Sequence, residues 1–169
     1  MYLISACLCG VNCKYNGLNN INEKCLELLR KGEALLVCPE QLGGLKTPRI
    51  PSEILGSAEK IIEFKEGKVI SKEGTDVTKE FLKGAEETLK IAKEANIKKA
   101  ILKEGSPSCG SNFVYDGSFT GNKIKGKESS LVGINQDIKM QIEDCFTRLR
   151  NNQNTKFFEL INEINKQNI

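Results

Sequence analysis

The 169-residue chain contains no histidine, and this absence excludes several kinds of chemistry. Without imidazole there is no Ser-His or Cys-His nucleophile pair, no histidine ligand for zinc and no histidine general base. Any proton transfer must therefore depend on a carboxylate, a lysine, a tyrosine, a cysteine or a bound water.

Long apolar runs and strong net charge are also lacking. No run reaches the about 18 apolar residues that a membrane-spanning helix needs. The first residues, MYLISACLCG, have no basic stretch before their apolar part, so we expect no secretory signal and a cytoplasmic protein. A net charge of +3, with Lys and Glu interleaved along the chain, does not favour nucleic acid as a partner.

The pattern of apolar residues predicts an α/β protein. Apolar and charged fractions of 39% and 28% are typical of a globular protein, and the length suits one domain over 1–169. Strands are predicted at 2–8, 34–38 and 98–103, and helices at 20–31 and 76–95. Strands that alternate with helices indicate a mainly parallel sheet flanked by helices, a three-layer Rossmann-like arrangement.

Outside this alternation, the chain shows weaker patterns. Hairpins are expected at 59–71, around Glu66 and Gly67, and at 112–124, with Asp116 and Gly117 at the tip. Further helical patterns run over 129–150 and around 157–164. The prolines Pro39, Pro48 and Pro51 predict an irregular loop after the second strand.

Seven cysteines are the most informative feature of the composition. An odd number of thiols without an export signal argues against a disulfide framework. Cys25 and Cys145 lie on the apolar stripes of predicted helices, so we interpret them as core residues. The other five lie at the ends of predicted strands or in the loops after them: Cys7, Cys9, Cys13, Cys38 and Cys109.

Each of the three predicted strands thus delivers a thiol to its carboxyl end, where parallel sheets bind ligands. Cys109 lies in EGSPSCGS, a segment of small residues that predicts a tight, exposed turn. Cys7 and Cys38 alone would be explained as buried strand residues, with Cys109 incidental. Taken together, the three thiols favour an iron–sulfur cluster with one iron left open; a zinc ion is the second alternative, and a redox-active thiol set or no metal is the third.

Three motifs then indicate a family. SACLCGVNCKYNG, VCPEQLGGLKTPR and LKEGSPSCG occur in this order and at this spacing. Together they resemble the small bacterial and archaeal family of TudS-like thiouracil desulfidases. The resemblance covers about residues 1–125. Beyond it, the family pattern would place an Ala-rich helix and a further apolar strand, where this chain has KGKESSLVGINQDIKMQIEDCFTRLR.

The resemblance implies a 4Fe–4S cluster held by Cys7, Cys38 and Cys109, with the fourth iron free for the sulfur of a thiocarbonyl. Cys13 would lie nearby, without a firm role as a ligand. The family's acid/base carboxylate falls on Glu40 and its site serine on Ser106. On their own, these two residues would be interpreted as a surface carboxylate and a turn residue.

The expected function is therefore non-redox desulfuration of a thiolated pyrimidine, either a nucleobase or a nucleotide, with release of sulfide. The alternative is a structural or sensing module that binds zinc or a cluster without turnover. Thr47, Arg49 and Lys103 are candidates for anchoring a substrate carbonyl or phosphate, or equally for tying down loops.

Overall fold

A four-stranded parallel sheet forms the centre of the molecule. The computed structural model describes residues 1–56, 61, 66–110, 113–125 and 141–144. The sheet contains β1 (Tyr2–Ser5), β2 (Ala34–Val37), β5 (Lys99–Leu102) and β8 (Gln141–Asp144), in the order β2-β1-β5-β8. β2 lies on one side of β1, and β5, which comes later in the chain, lies on the other side. The direction in which successive strands are added to the sheet therefore reverses between β1 and β5.

Two helices cover opposite faces of this sheet. Alternate residues of each strand point to opposite faces, so neighbouring residues of one strand pack against different helices. On β1, Ile4 packs with Leu28 of α1 (Glu23–Arg30). Leu3 packs instead with the core that includes Phe81 of α3 (Thr78–Glu94). The predicted three-layer α/β fold is confirmed.

Both helices occur close to where the sequence predicts them. The side chain of Asn22 caps α1 by accepting from the backbone N–H groups of Lys24 and Cys25, at 3.1 and 3.2 Å. Ile21, which lies before the helix, is 55% exposed and does not belong to its buried face. Cys25 is buried under α1, as predicted.

The first two strands are shorter than predicted, and the proline-rich loop is more regular. After β1 the chain forms a 3-10 helix at Ala6–Cys9, whose residues are all buried. These residues are apolar because they are buried in the core, and not because they form part of a strand. After β2, Cys38 precedes a one-turn helix, α2 (Pro39–Leu42), because proline suits the first position of a helix.

The predicted pairing at 59–71 is wrong. β4 (Lys68–Ser71) pairs antiparallel with β3 (Ser52–Leu55), a strand that directly follows Pro51. The hairpin at 112–124 is confirmed as β6 (Phe113–Tyr115) and β7 (Lys123–Lys125). Its connection spans 116–122, which is longer than the two-residue tip predicted at Asp116–Gly117.

The helix predicted over 129–150 is also wrong where the structure describes it. Gln141–Asp144 form β8, parallel to β5, with Lys99 opposite Gln141. Pairing with a neighbouring strand decides the structure there, and a helical pattern in one segment carries no information about such a partner. Cys145 and the helix expected around 157–164 lie outside the described residues. Among the described residues, no helix has both the length and the apolar character to cross a membrane.

Candidate functional site

A cavity of about 480 Å³ opens at the carboxyl edge of the sheet, near the point where the strand order reverses. In parallel α/β sheets this is the usual place for a ligand. Four thiols line the cavity: Cys7, Cys13, Cys38 and Cys109. The structure thus brings together all three predicted ligand residues, with Cys13 as a fourth thiol beside them.

The Cys7 thiol is positioned by the 3-10 helix that follows β1. Gly10 ends this helix with a φ of +88°, a conformation that glycine adopts without strain. The carbonyl of Cys7 accepts a hydrogen bond from the N–H of Asn20 at 2.9 Å, which ties the following loop to the helix. Cys9, on the same helix, packs into the core under α1 and does not line the cavity.

Cys38 is positioned by a backbone contact between α2 and α3. Gly43 and Gly84 lie so close together that a Cβ at either residue would come within 1.9 Å of a carbonyl oxygen, that of Glu80 or that of Pro39. This contact fixes α2, and with it Cys38 and Glu40, against the long helix. The Cys38 thiol donates to the carbonyl of Cys13 at 3.7 Å.

Cys109 lies in a buried turn, and the expectation of an exposed turn is wrong. Cys109 is 5% exposed and Ser108 is 1% exposed, because the segment folds inward against the core under α3. The Ser5 and Ser108 hydroxyls lie 3.6 and 3.5 Å from the Cys109 sulfur. Burial raises the pKa of the Cys109 thiol to about 12, an effect that the two hydroxyls only partly offset.

Cys7, Cys13 and Cys38 are direct neighbours. A hydrogen bond with Cys38 lowers the pKa of Cys13, but its contact with Cys7 and its burial outweigh this and raise the pKa to about 11. The hydrogen bond with Cys13, together with burial, raises the pKa of Cys38 above its usual range. Without a cation, the thiols of Cys13 and Cys38 therefore favour the protonated form, whereas a bound metal would stabilise their thiolates.

The arrangement of the cysteines bears on the kind of metal site that they could form. A single zinc ion binds sulfur at about 2.3 Å, which brings its thiolates to within about 4 Å of one another. Within the part of the chain that the structure describes, no three Cys, Asp or Glu side chains are arranged to hold one metal ion. Thiols that share a cavity but come from three separate segments suit a cluster, in which each binds a different iron.

Glu40 connects α2 to the turn that carries Cys109. Its Oε1 accepts hydrogen bonds from the hydroxyls of Ser106 at 3.0 Å and Ser108 at 3.2 Å. Its Oε2 accepts from Arg49 through Nε at 2.7 Å and pairs with Nη2 at 2.6 Å. The predicted Glu40–Ser106 pair is therefore a direct contact, and it lies on the cavity.

All five N–H groups of the Arg49 guanidinium are used within the protein. Nε and Nη2 contact Glu40, and Nη2 also donates to the carbonyl of Cys13 at 3.0 Å. Nη1 donates to the carbonyl of Lys46 and to Thr47 Oγ1, at 3.3 and 3.0 Å. Arg49 thus joins the loop after β1 to the loop after α2.

Lys103 lines the cavity, as Arg49 does. Its backbone N–H donates to Ser5 Oγ at 2.9 Å, and its ammonium donates to the carbonyl of Glu104. Burial lowers the pKa of its amine. Thr47 accepts from Arg49 and from Gln41 at 2.9 Å, and it does not line the cavity.

Sequence reasoning missed several residues of the cavity wall. Ser108 is the second serine of the SPSC motif and had a signal in that motif. Lys14 and Tyr15 likewise belong to the first motif, in its CKYNG part. Others lie in loops or on short strands without any local pattern that marks them as site residues: Glu53, Lys72, Tyr115 and Phe119.

Comparisons with known proteins agree with this geometry. A model of the 2-thiouracil desulfurase family matches residues 2–142, beyond the 125 residues over which the motifs are recognisable. The uncharacterized protein YbbK of Bacillus subtilis (strain 168) is 46% identical over 126 residues, which cover 75% of this chain and 83% of that protein. A solved structure of the [4Fe-4S]-dependent thiouracil desulfidase TudS matches with a TM-score of 0.69 and 38% identity, covering 88% of this chain and 94% of that one.

Proposed function

This chain belongs to the 2-thiouracil desulfurase family, and we propose that it replaces the sulfur of a thiolated pyrimidine with oxygen at a 4Fe–4S cluster. The observation that carries this proposal is the shared cavity, in which four thiols lie beside a hydrogen-bonded carboxylate and two serines. The match to a [4Fe-4S]-dependent desulfidase over most of both chains supports it. The substrate would be a nucleobase or a nucleotide that this cavity admits.

Cys7, Cys38 and Cys109 are the proposed ligands of the cluster. They follow β1, β2 and β5, so the fold places one thiol at the end of each of three adjacent strands. Three protein ligands leave one iron open, and when bound the cluster supplies a Lewis acid for the sulfur of the substrate. Cys13 contacts two of the three ligands and is proposed as their neighbour.

The reaction exchanges two atoms at one oxidation level. The oxygen of water bonds to the ring carbon, the carbon–sulfur bond breaks, and the protons of water leave with sulfide. Carbon, sulfur and oxygen each keep their oxidation state in this exchange, so no oxidant or reductant is consumed. The residues of the chain need only to move protons and to orient the ring.

Glu40 and Ser106 are proposed to move these protons. The Ser106 hydroxyl donates to Glu40 Oε1, so it can pass its proton to the carboxylate while it accepts one from water. Arg49 holds the other carboxylate oxygen and thereby orients Glu40. We infer that Arg49 and Thr47 position the loops, because the N–H groups of Arg49 and the hydroxyl of Thr47 are used within the protein. Lys103, which also lines the cavity, is proposed to anchor the substrate.

The test is reconstitution without oxygen, followed by measurement of iron, of acid-labile sulfide and of sulfide release from thiouracil. We expect about four iron and four sulfide per chain, as in a cubane cluster. Cys7→Ala, Cys38→Ala and Cys109→Ala should each lose the iron, whereas Cys25→Ala, in the core under α1, should keep it. Zinc in place of iron, or equal iron loss in Cys25→Ala, would contradict the ligand assignment. A loaded protein that releases no sulfide from any thiouracil would support the binding module instead.

A further inference from the structure

The wall of the cavity that includes β3 and the β6–β7 hairpin contains a carboxylate with no part in the chemistry proposed above. Glu53, on β3, lines the cavity and is only 8% exposed. A carboxylate buried to this extent requires hydrogen-bond donors, because it has lost most of its contact with water. The structure shows donors for one of its two oxygens.

Glu53 Oε2 accepts hydrogen bonds from the backbone N–H groups of Gly117 at 3.0 Å and Phe119 at 3.1 Å. Oε1 receives no hydrogen bond from any residue that the structure describes. One oxygen of Glu53 is thus committed to the hairpin, and the other is available to a ligand in the cavity.

The hairpin is held firmly at this point. Phe119 has a φ of +57°, a conformation that costs a residue other than glycine roughly 1–2 kcal/mol. A Cβ on Gly117 would lie 2.4 Å from Leu55 Cδ2 and 3.0 Å from the carbonyl of Ile54, so the hairpin packs closely on β3. Phe119 lines the cavity together with Glu53, to which its backbone N–H is hydrogen-bonded. An aromatic residue and one directed acceptor in the same wall suit a planar heterocycle with an N–H group.

We propose that Glu53 determines specificity by accepting, through Oε1, a hydrogen bond from the ring N–H that neighbours the thiocarbonyl of the substrate. The proposal rests on the function proposed above and names the group that recognises the ring. In 2-thiouracil and in 4-thiouracil alike, N3–H lies next to the carbon that carries sulfur. A ribose on N1 leaves N3–H in place, so the same contact would serve a nucleobase or a nucleotide.

The variant Glu53→Gln tests this contact without removing the anchor of the hairpin. The amide oxygen of glutamine must face the two backbone N–H donors, as Oε2 does. The amide NH₂ then takes the place of Oε1, so the group available to substrate changes from an acceptor to a donor. Two donors that face each other cannot form a hydrogen bond, and the polar groups of the site are left unpaired.

The experiment compares kcat and KM for 4-thiouracil, 1-methyl-4-thiouracil and 3-methyl-4-thiouracil on the loaded enzyme. The two methylated probes carry the same added bulk, but only the 3-methyl compound lacks N3–H. We expect the wild type to accept the 1-methyl probe and to discriminate against the 3-methyl probe. In Glu53→Gln, kcat/KM for 4-thiouracil and for the 1-methyl compound should fall about tenfold or more, mainly through a higher KM. The ratio of kcat/KM between the 1-methyl and the 3-methyl compound should then be much smaller than in the wild type.

Glu104→Gln is the matched control, since Glu104 is also buried and also accepts from two backbone N–H groups, but does not line the cavity. It should keep the wild-type ratio between the methylated probes. A second readout is independent of the cluster: the dissociation constant of uracil from the unloaded protein should rise about tenfold in Glu53→Gln.

The possible outcomes distinguish failure of the role proposed for Glu53 from failure of the proposed function. If the wild type releases sulfide from 4-thiouracil and Glu53→Gln keeps its ratio between the methylated probes, the role of Glu53 is refuted and the proposed function stands. If that ratio also collapses in Glu104→Gln, the effect is structural and the inference fails. If the loaded wild type releases no sulfide from any thiouracil, the proposed function fails, and the assignment of Glu53 fails with it.

Discussion

At the scale of single residues, the two oxygens of the Glu40 carboxylate have different partners. Oε2 is held by the guanidinium of Arg49, and Oε1 accepts from two serine hydroxyls. The ion pair is largely buried, with the side chains 9% and 15% exposed, so each charge depends on the other. One oxygen therefore fixes the orientation of the group, and the other remains in contact with protons that can move.

Glu40→Gln should keep the cluster and lose turnover. The amide has nearly the same shape and can still accept from Ser106, but it cannot take up a proton at neutral pH. A missing general base typically costs about a hundredfold or more in rate. The measurement is sulfide release at equal iron content, with Glu80→Gln on α3 as the control. Turnover at the wild-type rate in Glu40→Gln would refute its role as a base.

Arg49→Ala should destabilise the unloaded protein, because it leaves Glu40 as an uncompensated buried charge. Removal of one partner from a buried pair typically costs about 3–5 kcal/mol. Arg30→Ala provides the comparison, since its partner Glu23 lies 3.8 Å away and the two side chains are 65% and 73% exposed. That variant should lose less than about 1 kcal/mol in urea unfolding. Equal losses in the two variants would show that the pair with Glu40 contributes no more than a surface contact.

Local patterns allow only some of these residues to be predicted. Cys7, Cys38 and Cys109 lie at or after the ends of predicted strands, and the ends of parallel strands meet at one edge, so their convergence follows from the sequence. Glu53 could not be found in this way. It lies on a strand that directly follows a proline, and its partners come from a hairpin more than 60 positions later in the chain.

At the scale of elements, the contact between α2 and α3 depends on two glycines. Gly84 lies inside a helix, where alanine normally stabilises by about 1 kcal/mol. At position 84 alanine should instead destabilise the protein, because a Cβ there would lie 1.9 Å from the carbonyl oxygen of Pro39. The helices would have to separate, and Cys38 would move with α2.

Gly84→Ala is therefore expected to lower the free energy of unfolding and the amount of iron bound per chain. Gly74→Ala is a suitable control, since Gly74 has a φ of +83° but a Cβ there would meet no atom within 4 Å. Its cost should be limited to backbone strain of roughly 1–2 kcal/mol, with normal iron content. Full iron content in Gly84→Ala would show that the position of α2 is not needed for the site.

The stabilising effect of Asp76 at the start of α3 is expected to depend on pH. Asp76 accepts hydrogen bonds from the hydroxyl and the N–H of Thr78, and with the nearby Lys68 these lower its pKa from 3.8 to about 2. The carboxylate thus stabilises the fold above pH 4 and loses this effect as the pH falls toward 2. Asp76→Asn should be less stable than wild type at pH 6, and the two urea midpoints should converge between pH 4 and pH 2. A constant difference over this range would exclude ionisation of Asp76 as the cause.

The accuracy of the predicted elements depended on how local their interactions are. The helix α3 was predicted almost to the residue, because its apolar stripe and its packing face lie within one segment. β3 and β8 were missed because each becomes a strand only by pairing with a distant partner, β4 or β5. α2 was missed because a single turn is too short to show a period.

At the scale of the whole molecule, the proposed cluster would connect three parts of the chain that are distant in sequence. Cys7, Cys38 and Cys109 come from the ends of β1, β2 and β5, and only the assembled sheet brings them to one cavity. The unfolded chain has no such arrangement. A ligand that binds only the folded state adds its binding free energy to the stability of that state.

Loading with the cluster should therefore raise the thermal midpoint of the wild type, and this increase should vanish in Cys109→Ala. Cys25→Ala makes the comparison specific. Cys25 is 1% exposed in the core under α1, so its truncation should lower the midpoint of the loaded and unloaded forms by similar amounts. The difference between the two forms would then be preserved. The measurement is thermal unfolding under anaerobic conditions of the three proteins, each with and without reconstitution. A Cys109→Ala protein that still gains stability on reconstitution would place the iron at thiols other than those at the ends of the three strands.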